Sequence, residues 1–350
     1  MKPLVSILIP AYNAQRWIAE TLRSATAQTW DRKEIIVVDD GSRDDTLSVA
    51  RQFESRQLKV VTQENQGASA ARNTALSLSQ GDYIQWLDTD DLMAPDKIAR
   101  QIELATEDRS VSNRTLLSGA WAYFLYRCDR AKFVPNALWC DLSPVEWLIR
   151  KMEQCDPLAA VNVFIQTACW LVSRELTEAA GPWDTRLSTD DDGEYFCRVL
   201  RASDSVRFVP EAKVFYRQTP GSLSYIGDSD RKRESQWLSM QLQIRCLRSI
   251  EESERVRAAC VWYLQHFMVT FYPDRADIIR QAEEMARSLG GRLTPPRLTW
   301  KYSWIKSIFG WRLAQRARLL LPELRWAPVR LWDKALFSLS ARHRLAQPGS

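Results

Sequence analysis

GDYIQWLDTDD, residues 81–91, runs an apolar segment, Tyr83 to Leu87, directly into three carboxylates, Asp88, Asp90 and Asp91. Like charges this close oppose joint ionisation unless a cation sits among them, although acidic residues after a strand also mark plain turns and helix caps. The segments before it decide between these readings. LVSILI at 4–9 reads as a strand closed by Pro10, and Trp17, Ile18, Leu22 and Ala25 follow at helical spacing. EIIVV at 34–38 is apolar throughout, as in a strand covered on both faces. DDGSRDDT then caps a helix from about Thr46, residues 59–62 form a third strand, and Gly67 opens a helix through Leu78. The resulting βαβαβαβ order predicts right-handed crossovers and an α/β fold with a mostly parallel, Rossmann-like sheet flanked by helices. Ligands of such sheets lie beyond the carboxyl ends of the strands. Pro10 to Asn13, Asp39 with Asp40, and Asp88 to Asp91 should therefore meet on one rim.

Composition narrows the chemistry. Among 350 residues, 45% are hydrophobic and 26% charged, which excludes a mostly disordered chain. Cysteines 128, 140, 155, 169, 197, 246 and 260 are odd in number and lack CxxC spacing, which favours reduced thiols and a cytoplasmic protein. Histidines occur only at His266 and His343, so a metal would be held mainly by oxygen. The N-terminal apolar run is too short for a secretory segment, and no run of about 18 apolar residues predicts a bilayer span.

Beyond the sheet, residues 116–126 and 164–173 read as strands, 189–203 as a capped helix, and VRFVP and KVFYR as two short strands. Helical patterns follow at 235–248, 252–270 and 274–288, and GGRLTPP at 290–296 is a linker. These features divide the chain into 1–220, the domain that holds the sheet, 221–290, a helical extension, and 291–350, a basic Trp/Arg-rich tail. From Arg297 to Arg344 the tail carries 11 Lys/Arg against Glu323 and Asp333, an excess of 11 − 2 = +9 that leaves the remainder at 5 − 9 = −4. Val329, Trp332, Leu336 and Phe337 fall at helical spacing, with Arg330 and Lys334 on another side. Such a helix suits the surface of an anionic membrane, placing the protein peripherally on its cytoplasmic face, or it packs on the domain. The net acidic remainder disfavours nucleic acid.

VSILIPAYN, EIIVVDDGSRDDT, NQGASAARNTAL, GDYIQWLDTDD and TDDDGEYFCRVL, in this order over roughly residues 3–215, resemble the family 2 glycosyltransferases with the GT-A fold. The resemblance implies an inverting enzyme that moves a sugar from a nucleotide diphosphate to a saccharide or lipid-linked saccharide acceptor. It implies a nucleotide site built from Pro10, Ala11, Tyr12, Asn13, Asp39, Asp40, Gly67, Arg72, Asp88 and Asp90. Mn²⁺ or Mg²⁺, which prefer hard oxygen ligands, would be held by Asp88, Asp90 and Asp91, with Asp90 or Asp91 the first choice. The family's ED-type motif falls on Asp191 and Asp192 if Arg198 is its trailing basic residue; Asp192 is then the base, or Asp191 if the register slips by one. Each residue has a plainer reading. Tyr12 can be core, Asp39 and Asp40 turn or cap residues, Arg72 a surface ion pair, and Asp190, Asp191 or Asp192 a helix cap.

Two rivals share parts of this pattern. A sugar-phosphate nucleotidyltransferase would need a Gly-rich, Lys-ended N-terminal loop that VSILIPAYNAQRW lacks, and GxxxxGK[ST] is absent. A non-catalytic sugar-nucleotide-binding scaffold would separate from an enzyme by lack of turnover.

Overall fold

The computed structural model describes residues 2–154, 164, 166–218, 229–296, 298 and 300–345. Four strands alternate with three helices as the sequence pattern requires: β1 (Val5–Ala11), α1 (Ile18–Thr26), β2 (Lys33–Asp39), α2 (Thr46–Arg51), β3 (Leu58–Thr62), α3 (Ala68–Leu78) and β4 (Tyr83–Trp86). Then come β5 (Leu92–Met93), α4 (Lys97–Glu107), β6 (Thr115–Phe124), α5 (Pro144–Gln154), β7 (Val172–Ser173), α6 (Arg174–Ala180), α7 (Asp191–Ala202) and β8 (Ser205–Arg217). The main sheet has the order β3-β2-β1-β4-β7, parallel except for the β4–β7 edge, and a smaller sheet has the order β5-β8-β6. Ile7, Leu8, Ile9, Val37 and Val38 are fully buried, because helices cover both faces of the central strands.

Several expectations need correction. β1 does not close at Pro10 but runs to Ala11. Its pairing with β4 ends at Leu8, whose carbonyl accepts from Leu87, so the next β4-facing position, Pro10, has no ladder bond to donate. Residues 164–173 are not one strand: Thr167–Cys169 form a 3₁₀ turn, capped by Gln166, and Val172–Ser173 alone pair with β4. VRFVP and KVFYR are one strand, β8, which jumps register from Gly119↔Val209 to Ala120↔Lys213 against β6. Pro210 lies in the jump and could not have donated there.

The helical region comprises α8 (Asp230–Ile250), α9 (Glu254–Phe271), α10 (Ala276–Ser288) and α11 (Trp300–Leu345), the last broken at Gly310, where φ is 81°. The expected boundary at 220/221 lies outside the described residues. α11 packs back on the body. Trp311 Nε1 donates to the Tyr272 carbonyl at 2.9 Å, and Asp333 accepts from Arg127 Nε at 2.6 Å and from the Tyr126 amide at 2.9 Å. Of the apolar residues at helical spacing, Trp332 is exposed and Phe337 lies beside the Tyr126 ring, with Asp333 orienting the turn; the Val329 side chain lies outside the described residues.

Candidate functional site

The ends of β1 and β2 form one wall. Ala11 pairs with Asp39, and the Asp40 amide donates to the Ala11 carbonyl at 2.8 Å. Tyr12 is 45% exposed, so it is not a core residue, and Asn13 takes a left-handed conformation with φ 47°. Asn13 accepts from the Arg43 amide through Oδ1, fastening the wall to the loop after β2.

The two adjacent aspartates do different things. Asp40 is buried with both oxygens engaged: Gln63 Nε2 and the Gln66 amide bond one, and Asn65 Nδ2 and the Gly67 amide the other. It thereby shapes the loop into α3, where Gly67 adopts φ 94°, a value that penalises any side chain. Asp39 is equally buried, yet only its Oδ2 is bonded, to the Ser42 amide at 3.2 Å and Thr62 Oγ1 at 3.5 Å; Oδ1 has no partner. An unmatched buried acceptor costs about 1–3 kcal/mol, and a ligand N–H would satisfy it.

At the end of β4 the DTDD carboxylates divide. Asp91 turns inward, fully buried, accepting from Gln166 Nε2 and from the Arg217 amide at 3.0 Å. Burial, then the charges of Asp90 and Asp88, push its carboxyl well above the usual range. Arg217 fixes the loop: Nε donates to the Asp90 carbonyl at 2.8 Å, Nη1 to Leu125 O at 3.2 Å and Nη2 to Glu20 at 2.6 Å. Its guanidinium is sandwiched between the rings of Trp17 and Phe124 at 4.2 and 4.3 Å. Asp88 and Asp90 stay half-buried at the rim. Among the described residues, no group of three or more His, Cys, Asp or Glu is placed to hold a metal by itself.

Arg72 joins this loop to the start of α7. Nη2 lies 3.0 Å from Asp88 and Nη1 2.7 Å from Asp191, whose carboxylate also accepts from Ser69 Oγ at 2.8 Å. The Arg72 side chain is 8% exposed, which excludes a surface ion pair. It stacks 4.4 Å from the Trp183 ring, which in turn lies parallel to Tyr195 at 4.0 Å. Burial by itself would lower the guanidinium pKa; Asp191 and Asp88 outweigh it and raise the value.

Asp192 is half-buried, 3.4 Å from the Thr167 hydroxyl. Burial first, then Asp191 and Asp190, raise its carboxyl to about 6, while Lys151 and Arg72 oppose the shift. Asp190 does not cap its own helix. It sits in the left-handed region, φ 56° and ψ 32°, and makes no side-chain cap bond to α7. Its Oδ2 instead accepts from Gln236 at 3.0 Å, Ser239 at 2.8 Å and Gln243 at 2.6 Å, all on α8. A Cβ on Gly193 would come within 2.2 Å of Asp190 Oδ1, so the close fold-back requires glycine there.

Sequence reasoning missed Gln166, Arg217, Trp183 and the α8 polar face. Arg217 has a faint signal, a lone arginine ending an apolar strand. Ser235, Gln236, Ser239 and Gln243 form a polar stripe at helical spacing, which without the fold reads as a solvated face; all four are buried.

Residues 6–177 match the family described as Glycosyl transferase family 2. An uncharacterized glycosyltransferase, EpsJ, of Bacillus subtilis is 31% identical over 229 residues, 65% of this chain and 64% of that protein. Escherichia coli chondroitin synthase is 39% identical over 112 residues, 31% of this chain and 16% of that protein. The chain thus spans less than two thirds of these relatives. Among solved structures, Staphylococcus aureus TarS 1–349 in complex with UDP superposes with a TM-score of 0.57 at 18% identity, covering 100% of this chain and 93% of that one. The Pyrobaculum calidifontis mannosyltransferase PcManGT, in complex with GDP-Man and Mn²⁺, gives 0.51 at 20% identity, covering 95% and 88%. These superpositions establish the GT-A fold. By its motifs, its sheet and the family match, the segment 6–177 is a glycosyl transferase family 2 domain.

Proposed function

We propose that the protein transfers a sugar from a nucleotide diphosphate, most simply a UDP-sugar, to a hydroxyl of a saccharide or lipid-linked saccharide, with inversion. The observation that carries this reading is the Arg72 bridge. It ties the rim carboxylate Asp88 to Asp191, and so sets a donor-side acidic loop beside a second carboxylate pair, Asp191 and Asp192, of which Asp192 is half-buried with a raised pKa. Asp39 Oδ1 and the exposed Tyr12 ring fit a pyrimidine, the first accepting its N–H and the second offering a stacking face. The nucleotide-sugar complexes of TarS and PcManGT agree with this donor class.

The residues also fit Mn²⁺ or Mg²⁺. Asp88 and Asp90 offer hard oxygens at the rim, and such ions often combine one or two carboxylates with substrate phosphates. Asp91 is the weaker candidate, since both its oxygens are bonded inside the protein. When bound, the ion supplies positive charge that stabilises a departing diphosphate.

Asp192 takes the acceptor hydroxyl proton as the oxygen attacks; a carboxylate with a pKa of about 6 is a stronger base than an ordinary aspartate and remains ionised at neutral pH. Turnover tests the reading. Purified protein with Mn²⁺ should hydrolyse at least one of a panel of UDP-, GDP- and dTDP-sugars slowly. Nucleotide binding without turnover of any donor, with or without added acceptor saccharides, would favour the scaffold instead.

A further inference from the structure

The residues by which α11 contacts the body define its inward side: Ile305, Trp311 and Ala314 are buried, and Asp333 holds Arg127. Large apolar side chains remain outside. Trp304 and Ile308, one helical turn apart, are 56% and 67% exposed, and Leu331 and Trp332 are each 68% exposed, with Phe309 and Leu313 also open. Lys306, Arg312, Arg316 and Lys334 are exposed among them, Arg312 being paired with Asp274 of the body at 2.7 Å. Elsewhere on the described surface, exposed large hydrophobics are scattered singly, which needs no explanation.

We propose that these exposed apolar and basic side chains, carried by the two helical segments of α11 on either side of Gly310, dock the protein on the headgroup layer of an anionic bilayer. Charge and apolarity coincide on one element: the tail carries the +9 excess while the remainder of the chain is −4, so an anionic surface attracts α11 and repels the body. Tryptophan is suited to that depth, its ring apolar and its N–H wet. A polyanion such as nucleic acid would use the cations but not Ile308, Phe309 or Leu331. No helix among the described residues is long and apolar enough to cross a membrane, so α11 would lie in the interface rather than span it. The Asp333 contacts with Tyr126 and Arg127 meanwhile tie it to the segment whose Leu125 carbonyl is bonded by Arg217, the residue holding the DTDD loop. Docking therefore presents the sugar-transfer rim close to the bilayer surface.

Vesicle partitioning tests this independently of catalysis. The full chain, without nucleotide, is sedimented with vesicles containing about one third phosphatidylglycerol and with pure phosphatidylcholine vesicles. Partitioning should be at least ~10-fold stronger to the former and weaken steeply in about 0.5 M salt. The combined variant Trp304→Ala, Ile308→Ser, Phe309→Ser, Trp332→Ala changes exposed residues outside the site. It should lose about 10-fold or more of that partitioning while keeping UDP-sugar hydrolysis and thermal stability near those of the parent. Equal partitioning into both vesicle types, or full retention by the variant, would overturn the proposal. So would a parent dimer that becomes a monomer in the variant while neither binds vesicles, because a second copy would then cover the surface. A protein that binds vesicles yet turns over no donor sinks the transfer reading alone.

Discussion

Arg72 Nη1 lies 2.7 Å from Asp191 Oδ2 across a sequence separation of 119 residues. That contact joins α3, in the N-terminal half of the main sheet, to the first turn of α7. Because Arg72 is also 3.0 Å from Asp88, one guanidinium neutralises a carboxylate from each of the two acidic segments. Its planar fork suits the task in a way an ammonium does not.

Replacing Arg72 with Ala leaves two carboxylates facing one another without their cation. Removing one partner of a buried pair costs roughly 3–5 kcal/mol, so denaturant unfolding should show a loss of that order. Arg72→Lys should recover part of the stability but not UDP affinity, because a single ammonium cannot satisfy both carboxylates in the same geometry.

Asp192→Asn should keep UDP binding within a few-fold and reduce sugar transfer by about 10²-fold or more. Transfer by the parent protein should fall as pH drops through about 6, because protonation removes the base; above that value the carboxylate is ionised and the rate levels off. Burial sets this midpoint first, then the charges of Asp191 and Asp190, opposed by Lys151 and Arg72. A plateau extending unchanged down to pH 4.5 would exclude Asp192 as the base.

Asp39→Ala removes the buried oxygen that has no protein partner. Loss of one such acceptor is worth about 1–3 kcal/mol, roughly 5- to 150-fold, and calorimetry should show that penalty for UDP and a smaller one for ADP. Equal losses for the two would mean that Asp39 supports the loop rather than reading the base.

Asp90→Ala and Asp91→Ala should part company. The first should abolish Mn²⁺-stimulated turnover. The second should lower the melting temperature, since it strands Gln166 Nε2 and the Arg217 amide. A stable, metal-insensitive Asp91→Ala protein would reverse the assignment.

Gln243→Ala and Ser239→Ala loosen the grip of α8 on Asp190. Misplacing a reacting group by about 1 Å can cost ~10²-fold, so transfer should fall about tenfold or more while UDP affinity changes little. Matching losses in both quantities would assign α8 a general folding role.

Much of this was legible beforehand in the apolar runs. LVSILI, EIIVV and YIQWL become β1, β2 and β4 within a residue or two, since a strand buried on both faces leaves a continuous apolar signature. VRFVPEAKVFYR misled, because the pattern shows a proline break where the ladder absorbs one by a change of register. Residues 164–173 misled in the same way: the run is apolar because it is buried, not because it is extended.

The sequence by itself determined the βαβ order, the rim where the acidic segments meet and the types of residue offered there. The work of each aspartate was decided by tertiary structure. In DTDD and in TDDD neighbours with identical side chains point to different partners, Asp91 to Gln166 and Arg217, Asp190 to α8, Asp191 to Arg72 and Asp192 toward Thr167. Side-chain type is fixed by the chain, but direction, burial and therefore acidity depend on residues up to 126 positions away, as between Asp91 and Arg217.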